Sequence, residues 1–179
     1  MVNLPRFHVW VGPREKIYRD KKVVVLSPIS LLYSKVVITW NGIVCMPPTP
    51  ESRLWKNLRQ NTVEYPIHWT RLESWSTPGV PDVHGMWEGK SFWIELKIDR
   101  NKKVRPNLKK LLRPHQISWQ TSYSKHGGKV FNLVHRPTPS LLDLYQGGWG
   151  VMEGESEPLW GGGDKDWKGL MDHLRSLID

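Results

Sequence analysis

The run Phe92-Trp93-Ile94-Glu95-Leu96-Lys97-Ile98 constrains the fold of this chain more than any other stretch. Successive side chains of an extended strand point to opposite faces. Phe92, Ile94, Leu96 and Ile98 therefore form an apolar row that needs a core, while Trp93, Glu95 and Lys97 share the other face. Upstream, Gly79-Val80-Pro81-Asp82-Val83-His84-Gly85 sets Asp82 just after a turn, at the head of a preceding strand. A hairpin turning near Trp87-Glu88-Gly89-Lys90 brings Asp82 within reach of Glu95. Taken singly, Asp82 is ordinary turn chemistry, and Glu95 with Lys97 is an ordinary ion pair on a strand. Together they offer two convergent carboxylates suited to a hard divalent cation, and an adjacent lysine able to orient water or stabilise negative charge.

Charge points to the class of partner. The 179 residues suit one domain with appendages, and the net charge of +9 is uneven. Residues 1–50 carry seven Lys/Arg against two acids, residues 51–146 sixteen against eight, and residues 147–179 three against seven. A basic body favours a polyanion, most often nucleic acid. The single cysteine, Cys45, excludes an internal disulfide and a Cys-rich zinc site. The N-terminus lacks a basic start followed by an apolar run and a small-residue cleavage site. Val23 to Trp40, the most apolar stretch, contains Pro28 and Lys35 and reads as strands rather than a membrane span. A soluble protein of a reducing compartment is expected: cytoplasmic, in the host cytoplasm if the chain is viral.

Read in order, Val23–Leu26 and Lys35–Trp40 are predicted strands, and Asn41-Gly42 marks a tight turn before Ile43–Cys45. Residues 1–45 then form a β extension; in the other reading the functional domain starts at Met46. Thr49-Pro50-Glu51 starts a helix with Leu54, Trp55 and Leu58 on its apolar stripe. Glu51 has two roles open to it, a charge complementing the helix N-terminus or a third carboxylate facing the site. Glu73, the last residue of the predicted strand Ile67–Glu73, competes for the second role. Between Lys97 and Arg113 the chain sets Arg100, Lys102, Lys103, Arg105, Lys109, Lys110 and Arg113 against Asp99 alone. Pro106 and Asn107 interrupt it, so it reads as a loop, placed to touch a phosphate backbone. Pro114 to His126 is a predicted helix stopped by Gly127-Gly128, with Gln116, Trp119, Gln120 and Tyr123 on one face. Trp119 and Tyr123 are expected in the core, and Gln116 within reach of the site. A strand from Lys129 to Val134 and a short helix from Pro139 to Tyr145 follow. Residues 146–163 read as a Gly-rich linker. Asp164 then caps a helix with Trp167, Leu170, Met171, Leu174, Leu177 and Ile178 in one stripe, which docks back or binds a partner. Of the eleven tryptophans, Trp75, Trp87 and Trp93 are candidates for stacking on bases.

From Glu51 onward the order helix, three strands, helix, strand, with Pro81-Asp82 and Glu95-x-Lys97 on the second and third strands, resembles the PD-(D/E)xK nuclease superfamily. Glu51-Ser-Arg-Leu-Trp, Arg71-Leu-Glu-Ser-Trp, Pro78-Gly-Val-Pro-Asp82-Val, Trp93-Ile-Glu-Leu-Lys97 and Leu112-Arg-Pro-His-Gln116 look like the virus-type replication-repair (VRR-NUC) nucleases. Those domains are common in phage genomes and similar to Holliday-junction resolvases. The resemblance covers roughly residues 47–136. It implies an α/β, restriction-endonuclease-like core (αβββαβ, a mixed central sheet flanked by helices) over residues 46–146. Residues 1–45 would be the N-terminal β extension, and residues 147–179 a C-terminal helix on its Gly-rich linker. It also implies metal ligands at Asp82 and Glu95, with Glu51 completing the site. Lys97 would position or activate water, and Gln116 would be the polar residue from the next helix. The expected protein is a Mg2+-dependent deoxyribonuclease, with Mn2+ able to substitute, acting on junctions or flaps in replication, recombination or repair. The alternative is a non-cleaving nucleic-acid-binding or assembly protein on the same fold. DNA is the expected partner, no membrane is expected, and a homodimer is left open.

Overall fold

The structure, a computed structural model, describes residues 36–39, 42–45, 48–72, 78–101, 105–151 and 157–179, with the backbone alone at 36–45, 149 and 150. The chain divides into two units, Met1–Pro48 and Thr49–Asp179. In the first, β1 (Val36–Thr39) pairs antiparallel with β2 (Gly42–Cys45), from Val36 opposite Cys45 to Thr39 opposite Gly42. The expected strand at Val23–Leu26 lies outside the described residues, as do Asn41 and Met46.

The second unit is built on a six-stranded sheet in the order β3-β4-β5-β6-β7-β8. The strands are β3 (Ile67–Arg71), β4 (Val83–Trp87), β5 (Lys90–Ile98), β6 (Lys129–Pro137), β7 (Ser140–Gln146) and β8 (Trp160–Gly163). Only β5 and β6 pair in parallel, so the sheet is mixed. The parallel pair requires a crossover, and α2 (Leu108–Leu111) and α3 (Pro114–Lys125) supply it. With α1 (Pro50–Asn61) ahead of β3, the order α1, β3, β4, β5, α3, β6 is the expected αβββαβ core. The last helix is α4 (Trp167–Ile178). Among the described residues no helix is long and apolar enough to cross a membrane.

Strand alternation divides the layers. Phe92, Ile94 and Leu96 of β5 and Phe131 and Leu133 of β6 point to one face, where Leu54, Trp55 and Leu58 of α1 and Leu170, Met171 and Leu174 of α4 complete one core. Burying each of these large side chains stabilises the fold by roughly 2 kcal/mol. On the opposite face, Leu108, Leu112, Val134, Tyr145 and Val151 form a second, smaller core near α2 and the start of α3. Local signals agree with this plan. Thr49 caps α1 by accepting from the Ser52 N–H at 3.2 Å, with Pro50 in the first turn. Glu88 and Gly89 join β4 to β5 with φ of 47° and 83°, the two positive values a tight primed turn needs. Gly85 lies under the Phe92 ring, which a Cβ would meet at 2.3 Å.

Four expectations give way to tertiary context. Pro139–Tyr145 is no helix: it falls within the turn and strand of β7, because Leu141, Leu142 and Leu144 fit either period and pairing with β6 decides between them. The Gly-rich segment is more than a linker: Gly148–Val151 is a 3-10 turn, and Trp160–Gly163 closes the sheet as β8. Asp166, not Asp164, caps the last helix by accepting from the Gly169 N–H at 3.0 Å, while Asp164 accepts from the Ser140 hydroxyl. The apolar stripe of α4 is buried in the core of its own unit. The basic loop contains the single-turn α2, which Asn107 caps.

Candidate active site

Asp82 immediately precedes β4, whose Val83 pairs with Ile94, so Asp82 stands next to Glu95 across the hairpin. The Leu72 N–H bonds its carbonyl at 2.8 Å, and its own Oδ2 accepts the Leu96 N–H at 2.9 Å. The residue is thus held by both neighbouring strands. Gly79 fixes the approach. It has a φ of +98°, and a Cβ there would lie 2.4 Å from the His115 carbonyl oxygen. Only glycine lets the turn before Asp82 press against the first turn of α3.

Glu95 has 0% of its surface exposed. One oxygen is well satisfied: Oε1 lies 2.7 Å from Lys97 Nζ and accepts from Gln116 Nε2 at 2.5 Å. Gln116 is oriented for this, because its Oε1 accepts the Arg113 N–H at 3.0 Å and so leaves its NH2 facing Glu95. The other oxygen, Oε2, is buried with no hydrogen-bond partner among the described residues. Such an atom is costly unless something else satisfies it. Burial, and then the Asp82 charge, push the Glu95 carboxyl up to about 7, against the opposing pull of Lys97. Burial also raises Asp82, countered by the Leu96 N–H, Lys97 and Arg71. The two carboxylates thus share one electrostatic site, and both protonate more readily than free carboxylates.

The remaining expected residues are placed less centrally. Glu51 is half-buried in the first turn of α1, and among the described residues no group of three or more His, Cys, Asp or Glu is placed to hold a metal ion. Glu73, Trp75, Lys102 and Lys103 lie outside the described residues. Arg100, Lys109, Lys110 and Arg113 are exposed, and Arg105 is exposed and ion-paired with Glu157. Trp87 is in the core on the far face, packed edge-on to Tyr65, which removes it as a base-stacking candidate. Trp119 and Tyr123 are not in the core. They are half-buried and stacked on each other, and Gln120 is the buried residue of α3.

Three residues not expected at the site also bear on it. Arg71 acts electrostatically on Asp82 and donates to Ser52 Oγ at 3.1 Å, tying β3 to the start of α1. Gln120 and Asn132, both fully buried, exchange amide hydrogen bonds of 2.9 and 3.2 Å beside Glu95, whose strand partner is Asn132. Their polarity at buried positions of α3 and β6 was the available signal, but only the pairing makes sense of it.

No protein-family model matches the chain, and no curated protein matches it in sequence. Seventeen chains of solved structures align with it, two among them as follows. One, described as a VRR_NUC domain, is 19% identical with a TM-score of 0.41, the alignment covering 70% of this chain and 97% of that one. The other is Hjc of Archaeoglobus fulgidus, a Holliday junction resolvase from an archaeal hyperthermophile. It is 14% identical with a TM-score of 0.40, over 53% of this chain and 75% of that one.

Proposed function

We propose that this chain is a metal-dependent DNA endonuclease centred on Asp82, Glu95 and Lys97. The observation that carries the reading is Glu95: wholly buried, one oxygen held by Lys97 and Gln116, the other without a donor, and Asp82 beside it. An apolar core does not place such a pair without compensation. A hard divalent cation fits the donor set, since magnesium commonly takes one or two carboxylates and fills its other positions with water and substrate phosphate. When bound, Mg2+ or Mn2+ supplies Lewis acidity, acidifying a water and neutralising charge on the phosphate. Asp82 and Glu95 would hold it, and Glu51 is a further candidate from α1.

The protein's own groups divide the rest of the work. The Leu96 N–H occupies one oxygen of Asp82 and fixes the direction of the other. Gln116 and Lys97 do the same for Glu95. Lys97 Nζ, beside Glu95 and partly exposed, can hold the attacking water or donate to the oxygen on which charge develops. Arg100, Lys109, Lys110 and Arg113 supply positive charge along the polynucleotide, with Lys102, Lys103 and Arg105 in the same stretch. A branched or flapped DNA is the finer expectation.

The test is a panel of labelled substrates (linear duplex, single strand, flap, four-way junction) with Mg2+ or Mn2+. Cleavage is expected for at least one, with Asp82→Ala and Lys97→Ala abolishing it while binding in chelator persists. Undiminished cutting by those variants, or in excess chelator, would overturn the mechanism. Binding without cutting under every condition would favour the non-cleaving alternative.

A further inference from the structure

Aromatic side chains run away from the candidate site along one face. On β5, Trp93 lies two residues before Glu95 on the same face, about 7 Å away. His84, its pairing partner on β4, has its ring 4.7 Å from Trp93, and His84 Nε2 is 2.8 Å from Ser91 Oγ. Trp119 meets Trp93 edge-on at 5.5 Å and stacks on Tyr123 at 4.8 Å with the rings 15° apart. Trp119, Ser122, Tyr123 and His126 line an open groove of about 200 Å³. Gln116, which reaches Glu95, stands on the same side of α3. The helical rise puts Trp119 about 5 Å and Tyr123 about 10 Å farther along the axis.

Charge selects among the occupants of such a groove. From residue 100 to residue 136 the sequence has ten Lys/Arg and no Asp or Glu. An acidic peptide and a nucleic acid both answer that field, but half-buried aromatic rings lining a groove are what a nucleobase uses. Ring stacking tolerates any base, whereas duplex bases already stack on one another. At about 3.4 Å per stacked nucleotide, the groove lies two to three nucleotides from the metal-binding carboxylates.

We propose that this groove on α3 receives an unpaired nucleobase of the DNA, two to three nucleotides from the phosphate held at Asp82 and Glu95. The site deepens the nuclease reading and rests on it for its register. It gives the protein a means of preferring DNA with a single-stranded segment beside a duplex.

The experiment measures binding in chelator, where cleavage does not enter. Anisotropy titrations compare a labelled blunt duplex with the same duplex carrying a four-nucleotide tail, 5′ or 3′, and with an abasic tail that keeps every phosphate. One polarity of tail is expected to strengthen binding about ten-fold or more, and the abasic tail to lose that gain. Tyr123→Leu and the exposed Ser122→Glu are expected to abolish the gain too. The quantity read is a ratio of two affinities, so a general loss of DNA binding cancels. Ser122→Glu alters no packed residue and keeps the test valid if Tyr123→Leu is unstable. A tail that confers no advantage, an abasic tail as good as the intact one, or variants that keep the advantage would each overturn the groove while leaving the nuclease reading intact. Failure to bind any DNA would overturn both. A self-association change in Ser122→Glu with the tail advantage kept would make the groove a contact between copies instead.

Discussion

Glu95→Gln tests the electrostatics of the site without disturbing its shape. The Glu95 carboxyl sits at about 7 instead of 4.5 through burial and the Asp82 charge. Its folded value is raised, so the native state keeps the proton that the unfolded chain gives up. The protonated form's contribution is fully present below about pH 4.5 and is lost as pH rises through 7. Once both states are ionised, holding the charge in place costs about 3 kcal/mol at 1.36 kcal/mol per pH unit. Gln keeps the acceptor that Lys97 and Gln116 use, and puts an NH2 where Oε2 has no donor. In chelator, urea unfolding should therefore find Glu95→Gln more stable than wild type by about 3 kcal/mol at pH 8, the gap shrinking towards zero near pH 4. Added Mg2+ should stabilise the wild type at pH 8 and the variant much less. A gap of the same size at every pH would refute the assignment of the raised carboxyl to Glu95. Equal stabilisation of both proteins by Mg2+ would refute Glu95 as a ligand.

Three further outcomes follow from the same geometry. At sub-saturating Mg2+, cleavage should rise with pH through about 7 as Glu95 ionises, with the midpoint moving lower as Mg2+ increases; a midpoint indifferent to Mg2+ would separate titration from metal binding. Gly79→Ala should destabilise the fold by at least about 1 kcal/mol by urea unfolding, because alanine fits neither a φ of +98° nor the 2.4 Å approach to His115, and its apparent Mg2+ affinity should fall as Asp82 loosens. Asn132→Leu should cost about 1–3 kcal/mol by leaving the buried Gln120 NH2 without its acceptor, and adding Gln120→Met should recover part of it; a double variant as unstable as the sum of the two single variants would show that the amide pair is not the cause.

Particular residues show how much could be read before the structure. Glu95 and Lys97 were legible because period-two alternation depends only on backbone geometry, and Phe92, Ile94 and Leu96 declared which face was buried. The Glu88-Gly89 turn then set the hairpin register and brought Asp82 to Glu95. Gln116 was legible as a helix residue near the site, since the capping of α3 is local. Leu141, Leu142 and Leu144 were misread because three leucines satisfy a helix as well as a strand, and pairing with β6 is not a local property. Trp160–Gly163 looked like a linker because glycine is a poor strand former, and it becomes a strand through its ladder with β7. Trp119 and Tyr123 looked like core for want of any local sign that both rings stay half-exposed.

The sequence by itself determined the strand that carries Glu95 and Lys97, the turn ahead of Asp82, the αβββαβ order and the basic stretch after Lys97. All of these follow from backbone periodicity, turn stereochemistry and summed charge, which act within a few residues or need no geometry. The tertiary structure alone decided that Glu95 is wholly buried with one oxygen unpaired, that Gly79 docks on α3, that Gln120 and Asn132 pair, and that α4 seals the core. Those are properties of desolvation and close approach between segments far apart in the chain. They turn a common Glu-x-Lys strand into a buried carboxylate beside Asp82 with one oxygen unpaired, the arrangement on which the proposed cation site rests.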